Sequence, residues 1–131
     1  MIHTPPLKVL YVDDEPINTT LFKINFKKHF NVILSMSGEE ALKTLETERD
    51  IDVVVSDFRM PGLNGVEFIR EANKKFGFRP SLILTGFDTN KDIEEAMQEG
   101  SVNALLHKPM NKEELIATVN QCYENHPPSK N

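Results

Sequence analysis

A chain of 131 residues is long enough for one domain with a buried core, and its 39% hydrophobic and 27% charged residues are those of a soluble globular protein. A net charge of −5 and a pI of about 5.4 argue against a basic surface for nucleic acid, and no apolar run is long enough to span a bilayer. The one cysteine, Cys122, precludes an internal disulfide, and four scattered histidines without an HExxH or His/Cys cluster give no zinc signature.

The N-terminal stretch "MIHTPPLKVL" lacks the charged and apolar regions of a signal peptide, so a cytoplasmic, reducing location is expected. Five short apolar runs then alternate with helix-length amphipathic segments. "KVLYV" (Lys8 to Val12) is the first predicted strand. A helix follows, with Asp14 expected as its N-cap ahead of Glu15 and Pro16. In that helix Ile17, Leu21 and Ile24 share one stripe while Phe22 and Phe26 fall roughly opposite. One sheet face cannot bury both sets. Two accounts are open: one set packs under the neighbouring loop or helix, or it forms an exposed apolar patch for a partner protein, a partner domain or a second copy.

The second strand, "NVILSM" (Asn31 to Met36), leads to a helix capped by Ser37 and carrying Ala41, Leu42 and Leu45. The third, "DVVVS" (Asp52 to Ser56), stops on Asp57 and breaks into a Pro/Gly loop. Asn64 with Glu67 predicts a capping box for a helix bearing Val66, Ile69, Ala72 and Phe76. "SLILT" (Ser81 to Thr85) is the fourth strand; Asp88 or Thr89 is expected to start the next helix and Gly100 to stop it. "ALLH" (Ala104 to His107) is the fifth. Asn111 with Glu114 predicts a cap for a last helix through Leu115, Val119 and Tyr123. Residues 1–125 are expected to form the domain, with "ENHPPSKN" fraying so that 126–131 are a tail or the start of a linker.

Several runs are apolar at consecutive positions, as in strands covered by helices on both faces. Strict strand–helix alternation predicts an α/β fold with a doubly wound parallel sheet of five strands and five helices. Ligand sites in such folds lie beyond the carboxyl ends of the strands. Those ends carry Asp13 and Asp14, Asp57, Thr85, and Lys108 followed by Pro109. The second strand ends on Met36 and Ser37 and adds nothing, as suits an outer edge.

Three carboxylates on one rim repel one another. At about 5 Å and an effective dielectric of about 20, each ionised pair costs roughly 3 kcal/mol. Such a cluster must raise a pKa, recruit a cation, or both. An all-oxygen set with few protein ligands suits Mg²⁺, with Mn²⁺ or Ca²⁺ as substitutes. Lys108 adds a compact charge for a phosphoryl group and Thr85 a hydroxyl donor, and Asp57, central among these residues, is the natural nucleophile. Taken singly, each residue has an ordinary structural explanation. Taken together at four of five strand exits, they point to phosphoryl chemistry.

With "YVDDEP", "SDFRMPGLNG", "ILTGF" and "LLHKPM" in this order, the chain resembles the response-regulator receiver domain of two-component signalling, from roughly Lys8 to Tyr123. The resemblance implies the flavodoxin-like sheet order 2-1-3-4-5. It implies that Asp57 accepts a phosphoryl group from a phosphohistidine on a sensor histidine kinase or histidine phosphotransfer protein. Asp13, Asp14, Asp57 and the backbone carbonyl of Arg59 would hold Mg²⁺. Thr85 and Lys108 would contact the phosphoryl group, aided by backbone N–H groups near Phe58, Arg59 and Gly86. Pro61 and Gly65 shape the loop after Asp57, and a cis Lys108–Pro109 bond is expected. Phosphorylation would move Thr85 and the loop from Gly86 to Asn90, and so bias an output surface of the fourth helix, fifth strand and fifth helix.

One position departs from the family. Three residues before the lysine, where an aromatic is usual, stands Leu105, so Phe87 is considered as a substitute in that coupling. Arg59 and Phe87 also occupy the variable positions beside the pocket, and their bulk favours slow dephosphorylation. An effector domain, a downstream protein or a homodimer would receive the output; direct nucleic-acid or membrane contact is not expected.

Three rivals fit less well. A phosphatase of the haloacid-dehalogenase type wants a second acid two residues after its nucleophile, where this chain has Arg59. A flavodoxin-like cofactor carrier wants hydroxyls and glycines where "DDEP" would repel a phosphate. A receiver-like module that is never phosphorylated would not need the complete acid, threonine and lysine set.

Overall fold

The valine-, isoleucine- and leucine-rich runs pair as one parallel sheet, in a computed structural model that describes residues 3–86 and 90–129. In chain order the elements are β1 (Lys8–Val12), α1 (Pro16–Phe26), β2 (Asn31–Ser35), α2 (Gly38–Thr47), β3 (Val53–Asp57), α3 (Gly65–Phe76), β4 (Ser81–Thr85), α4 (Lys91–Gln98), β5 (Ala104–His107) and α5 (Lys112–Asn125). The spatial order is β2-β1-β3-β4-β5. The chain winds outward from β1 to β2, then crosses back to β3 on the other side of β1. This reversal opens a crevice between the carboxyl ends of β1 and β3.

Each sheet face carries its own core. Leu10, Val12, Val54 and Ile83 pack under α2, α3 and α4 with Leu45, Phe68, Ile69 and Ile93. Val9, Tyr11, Val55, Leu82 and Leu84 pack under α1 and α5 with Phe22, Phe26, Leu115 and Val119. Every residue of β3 and β4 is buried, which is why those strands show no alternation. No helix among the described residues is long and apolar enough to cross a membrane.

Most helix starts fall where the polar punctuation placed them. The Ser37 hydroxyl accepts from the Glu40 N–H at 3.0 Å, and Asn64 and Glu67 form a reciprocal capping box. The Asn111 side chain accepts from the Glu114 N–H at 2.8 Å. Two starts differ from expectation. Glu15, not Asp14, is the residue ahead of α1, and its side chain makes no capping bond; Asp13 Oδ1 instead accepts the Glu15 N–H at 3.0 Å. At α4 the cap is Asn90, whose side chain accepts from the Asp92 and Ile93 N–H groups. Phe87, Asp88 and Thr89, to which a coupling role and a cap were assigned, lie outside the described residues.

Strand ends shift by one residue for visible reasons. Asp57 pairs opposite Leu84 and so closes β3 itself. Met36 falls outside β2, its N–H donated to Glu40 Oε1 at 2.9 Å. The two apolar sets of α1 also separate. Phe22 and Phe26 are each 2% exposed, whereas Ile17, Leu21 and Ile24 are 67%, 49% and 58% exposed.

Candidate functional site

Register brings the acids together. In β1 and β3, Val12 lies opposite Ser56, so Asp13 and Asp57 leave adjacent strands side by side. Carboxylate oxygens of Asp13, Asp14 and Asp57 lie within 4.8 Å of one another. Asp13 is wholly buried, Asp57 nearly so, and Asp14 half-buried.

On the other flank Thr85 lies opposite His107, which places Lys108 just past β5. The Lys108 backbone N–H donates to the Thr85 carbonyl at 2.8 Å, and its Nζ reaches Asp57 Oδ1 at 3.0 Å. Thr85 is 3% exposed. The Lys108–Pro109 bond is cis. Four of the five strands therefore supply the rim, and β2, at the sheet edge, supplies none.

Burial pushes the Asp57 carboxyl above its ordinary range; the Lys108 hydrogen bond and charge oppose this, while the Asp13 charge adds to it. A carboxyl whose ionised form is penalised in this way has much to gain from a nearby cation.

The loop after Asp57 is shaped by close approach. A Cβ on Gly65 would stand 2.5 Å from the Asp57 carbonyl oxygen and 2.8 Å from Ile83 Cδ1, so only glycine lets α3 start against β3. The Gly65 N–H donates to the Phe58 carbonyl at 2.8 Å, closing the loop that holds Arg59 and Pro61. Arg59 and Pro61 are exposed, as is Gly86 beyond β4. Leu105, at the position that departs from the family, is half-buried and packs against the core beneath α2, α3 and α4.

Two residues at the site were not picked out from the sequence. The Tyr11 hydroxyl donates to Asp13 Oδ2 at 2.8 Å, and Asn18 Nδ2 donates to the same oxygen at 3.1 Å. Burial first, and then the bond to Asp13, push the Tyr11 phenol upward, with the charges of Asp13 and Asp57 adding to the shift, so it stays a donor. Strand alternation was the available signal: positions 11 and 13 point to one face. A groove of about 430 Å³ runs beside them, between α1 and the start of α5, lined by Asn18, Leu21, Phe22, Lys108, Pro109 and Met110 among others.

Comparison with known proteins agrees with this geometry. A family model described as response regulator receiver domain matches residues 9–120. The hydrogenase transcriptional regulatory protein HoxA of Cupriavidus necator is 31% identical over 116 residues, 88% of this chain and 24% of HoxA. The alkaline phosphatase synthesis transcriptional regulatory protein PhoP of Bacillus subtilis is 34% identical over 113 residues, 86% of this chain and 46% of PhoP. The chain thus spans less than half of either relative. Among solved structures, a response regulator receiver domain protein from Clostridium thermocellum superposes with a TM-score of 0.80 at 30% identity, covering 91% of this chain and 95% of that one.

Proposed function

The chain belongs to the response-regulator receiver family, and from that membership we propose that Asp57 is its phosphoacceptor, loaded from a phosphohistidine on a sensor histidine kinase or histidine phosphotransfer protein. The observation that carries the proposal is the rim itself: three carboxylates within 4.8 Å, one of them held by Lys108 at 3.0 Å.

The donor set fits Mg²⁺, being all oxygen, compact and open on the solvent side through Asp14. Asp13, Asp14, Asp57 and the Arg59 carbonyl would hold the ion, and Mn²⁺ or Ca²⁺ could stand in. When bound, it supplies positive charge against both the carboxylates and the incoming phosphoryl oxygens.

Transfer joins an Asp57 carboxylate oxygen to phosphorus as the bond from phosphorus to the donor histidine nitrogen breaks. Lys108 Nζ exchanges part of its hold on Asp57 for a phosphoryl oxygen. The Thr85 hydroxyl and the backbone N–H groups around Phe58, Arg59 and Gly86 meet the remaining oxygens. Hydrolysis of the acyl phosphate reverses the state, slowly if Arg59 shields it from water.

Drawing Thr85 toward the phosphoryl group biases the surface of α4, β5 and α5, through which an effector domain, a downstream protein or a second copy takes the signal. Leu105 offers less area and no polar tip for that coupling than the usual aromatic. The exposed stripe of Ile17, Leu21 and Ile24 lies beside the groove and suits docking of the phosphodonor protein. A cytoplasmic location goes with this chemistry.

A small-molecule phosphodonor should add one phosphoryl group to the wild-type chain, none to Asp57→Asn, and much less to Lys108→Ala, as read by intact mass. Undiminished labelling of Asp57→Asn would contradict the assignment.

A further inference from the structure

We propose that Tyr11 and Asn18 are positioning residues for the divalent ion, fixing the Asp13 carboxylate so that Oδ1 is the only oxygen it offers to the rim. This rests on the Mg²⁺ site proposed above. Each carboxylate oxygen has about two lone-pair sites. Oδ2 of Asp13 uses both, for the Tyr11 hydroxyl at 2.8 Å and Asn18 Nδ2 at 3.1 Å. Oδ1 accepts only the Glu15 N–H, at 3.0 Å, and keeps one site.

The adjacent acids are therefore unequal. Asp14 is half-buried and no side-chain hydrogen bond ties it among the described residues, so it can turn to meet an ion. Asp13 is wholly buried and cannot.

Tyr11 is itself tightly packed. Its ring stacks on Phe22 with centroids 4.0 Å apart and planes 6° from parallel, and it is 2% exposed. Asn18 and Phe22 both stand on α1, so the first helix sets where Oδ1 points. Hydrogen-bond partners of metal-binding carboxylates orient their ligands, and losing one typically lowers metal affinity by about 10- to 100-fold.

The test is Mn²⁺ titration of the full chain, followed by loss of the free-ion electron paramagnetic resonance signal. Tyr11→Phe keeps the ring and its stack on Phe22 and removes one donor. It should weaken Mn²⁺ binding by about 10-fold. Asn18→Ala, at a half-buried position with a longer bond, should weaken it less. In an Asp13→Asn background, Tyr11→Phe should have no further effect, because its influence passes through that carboxylate.

Wild-type binding with Tyr11→Phe within about twofold of it would overturn the inference and leave the metal site standing. So would an equal loss in the Asp13→Asn background, which would mark a packing effect. A wild type that does not bind Mn²⁺ would remove the metal site first and this inference with it. Metal-free thermal midpoints check folding, and if Tyr11→Phe unfolds, Asn18→Ala alone decides.

Discussion

At the scale of single residues, Asp57 does two opposed jobs. Its carboxyl is pushed up by burial, so the folded chain takes up a proton at Asp57 at a higher pH than the unfolded chain does. A group raised in this direction makes stability fall as pH rises from the unfolded value through the folded one, and its ionised form is a net cost above that. Asp57→Asn is therefore expected to raise the metal-free thermal midpoint at neutral pH and to flatten its dependence on pH across the acid range. Added Mg²⁺ should stabilise wild type more than the variant. Thermal unfolding in chelator and in Mg²⁺ checks this, and a variant less stable than wild type at neutral pH would oppose it. The place of Asp57 on the rim was legible, since an aspartate closing a buried valine run ahead of a Pro/Gly loop must stand at the carboxyl edge of the sheet. Its neighbours were less so: alternation puts Tyr11 and Asp13 on one face of the sheet, but it does not say that the hydroxyl reaches the carboxylate, or that Asn18 of α1 meets the same oxygen.

At the scale of elements, α1 makes the clearest case of what periodicity can and cannot tell. The two stripes were visible, but their order of burial was not, because both are apolar and either could have faced the sheet. The aromatic pair won. Phe22 stacks on Tyr11 and Phe26 packs on Phe30, ring contacts that the aliphatic set could not make. Leu21→Glu should therefore leave folding and small-molecule labelling near wild type while cutting transfer from a phosphohistidine protein by about 10-fold or more. Equal transfer rates would move the docking surface elsewhere.

A second element-level feature had no signal at all. Arg79, in "FGFRPS", is 2% exposed, and its guanidinium donates to the backbone carbonyls of Arg49, Ile51, Phe76 and Gly77. It ties the segment before β3 to the segment before β4, at the end of the sheet opposite the rim. Arg79→Met removes a buried, hydrogen-bonded guanidinium and leaves carbonyls without partners, a loss of about 3 kcal/mol. Urea unfolding measures it, and a loss under about 0.5 kcal/mol, the scale of an ordinary surface substitution, would contradict it.

At the scale of the whole molecule, sheet order converts scattered letters into a site. Parallel strands send Asp13, Asp57, Thr85 and Lys108 to one rim, although the first and the last of them are 95 positions apart in sequence. That convergence was legible because consecutive apolar residues and strict alternation leave few topologies open. The order 2-1-3-4-5 itself came with the family resemblance, since periodicity alone does not say which strands are neighbours.

At the scale of the molecule the proposed function makes charge the deciding quantity: crowded carboxylates that are to meet an anionic phosphoryl group need a cation between them. The most direct measurement is intact mass after incubation with a small-molecule phosphodonor, in parallel with Mg²⁺ and with a chelator. Addition of one phosphoryl group in Mg²⁺ and little or none in chelator is the predicted result. Equal labelling in both would contradict a rim that depends on a divalent ion.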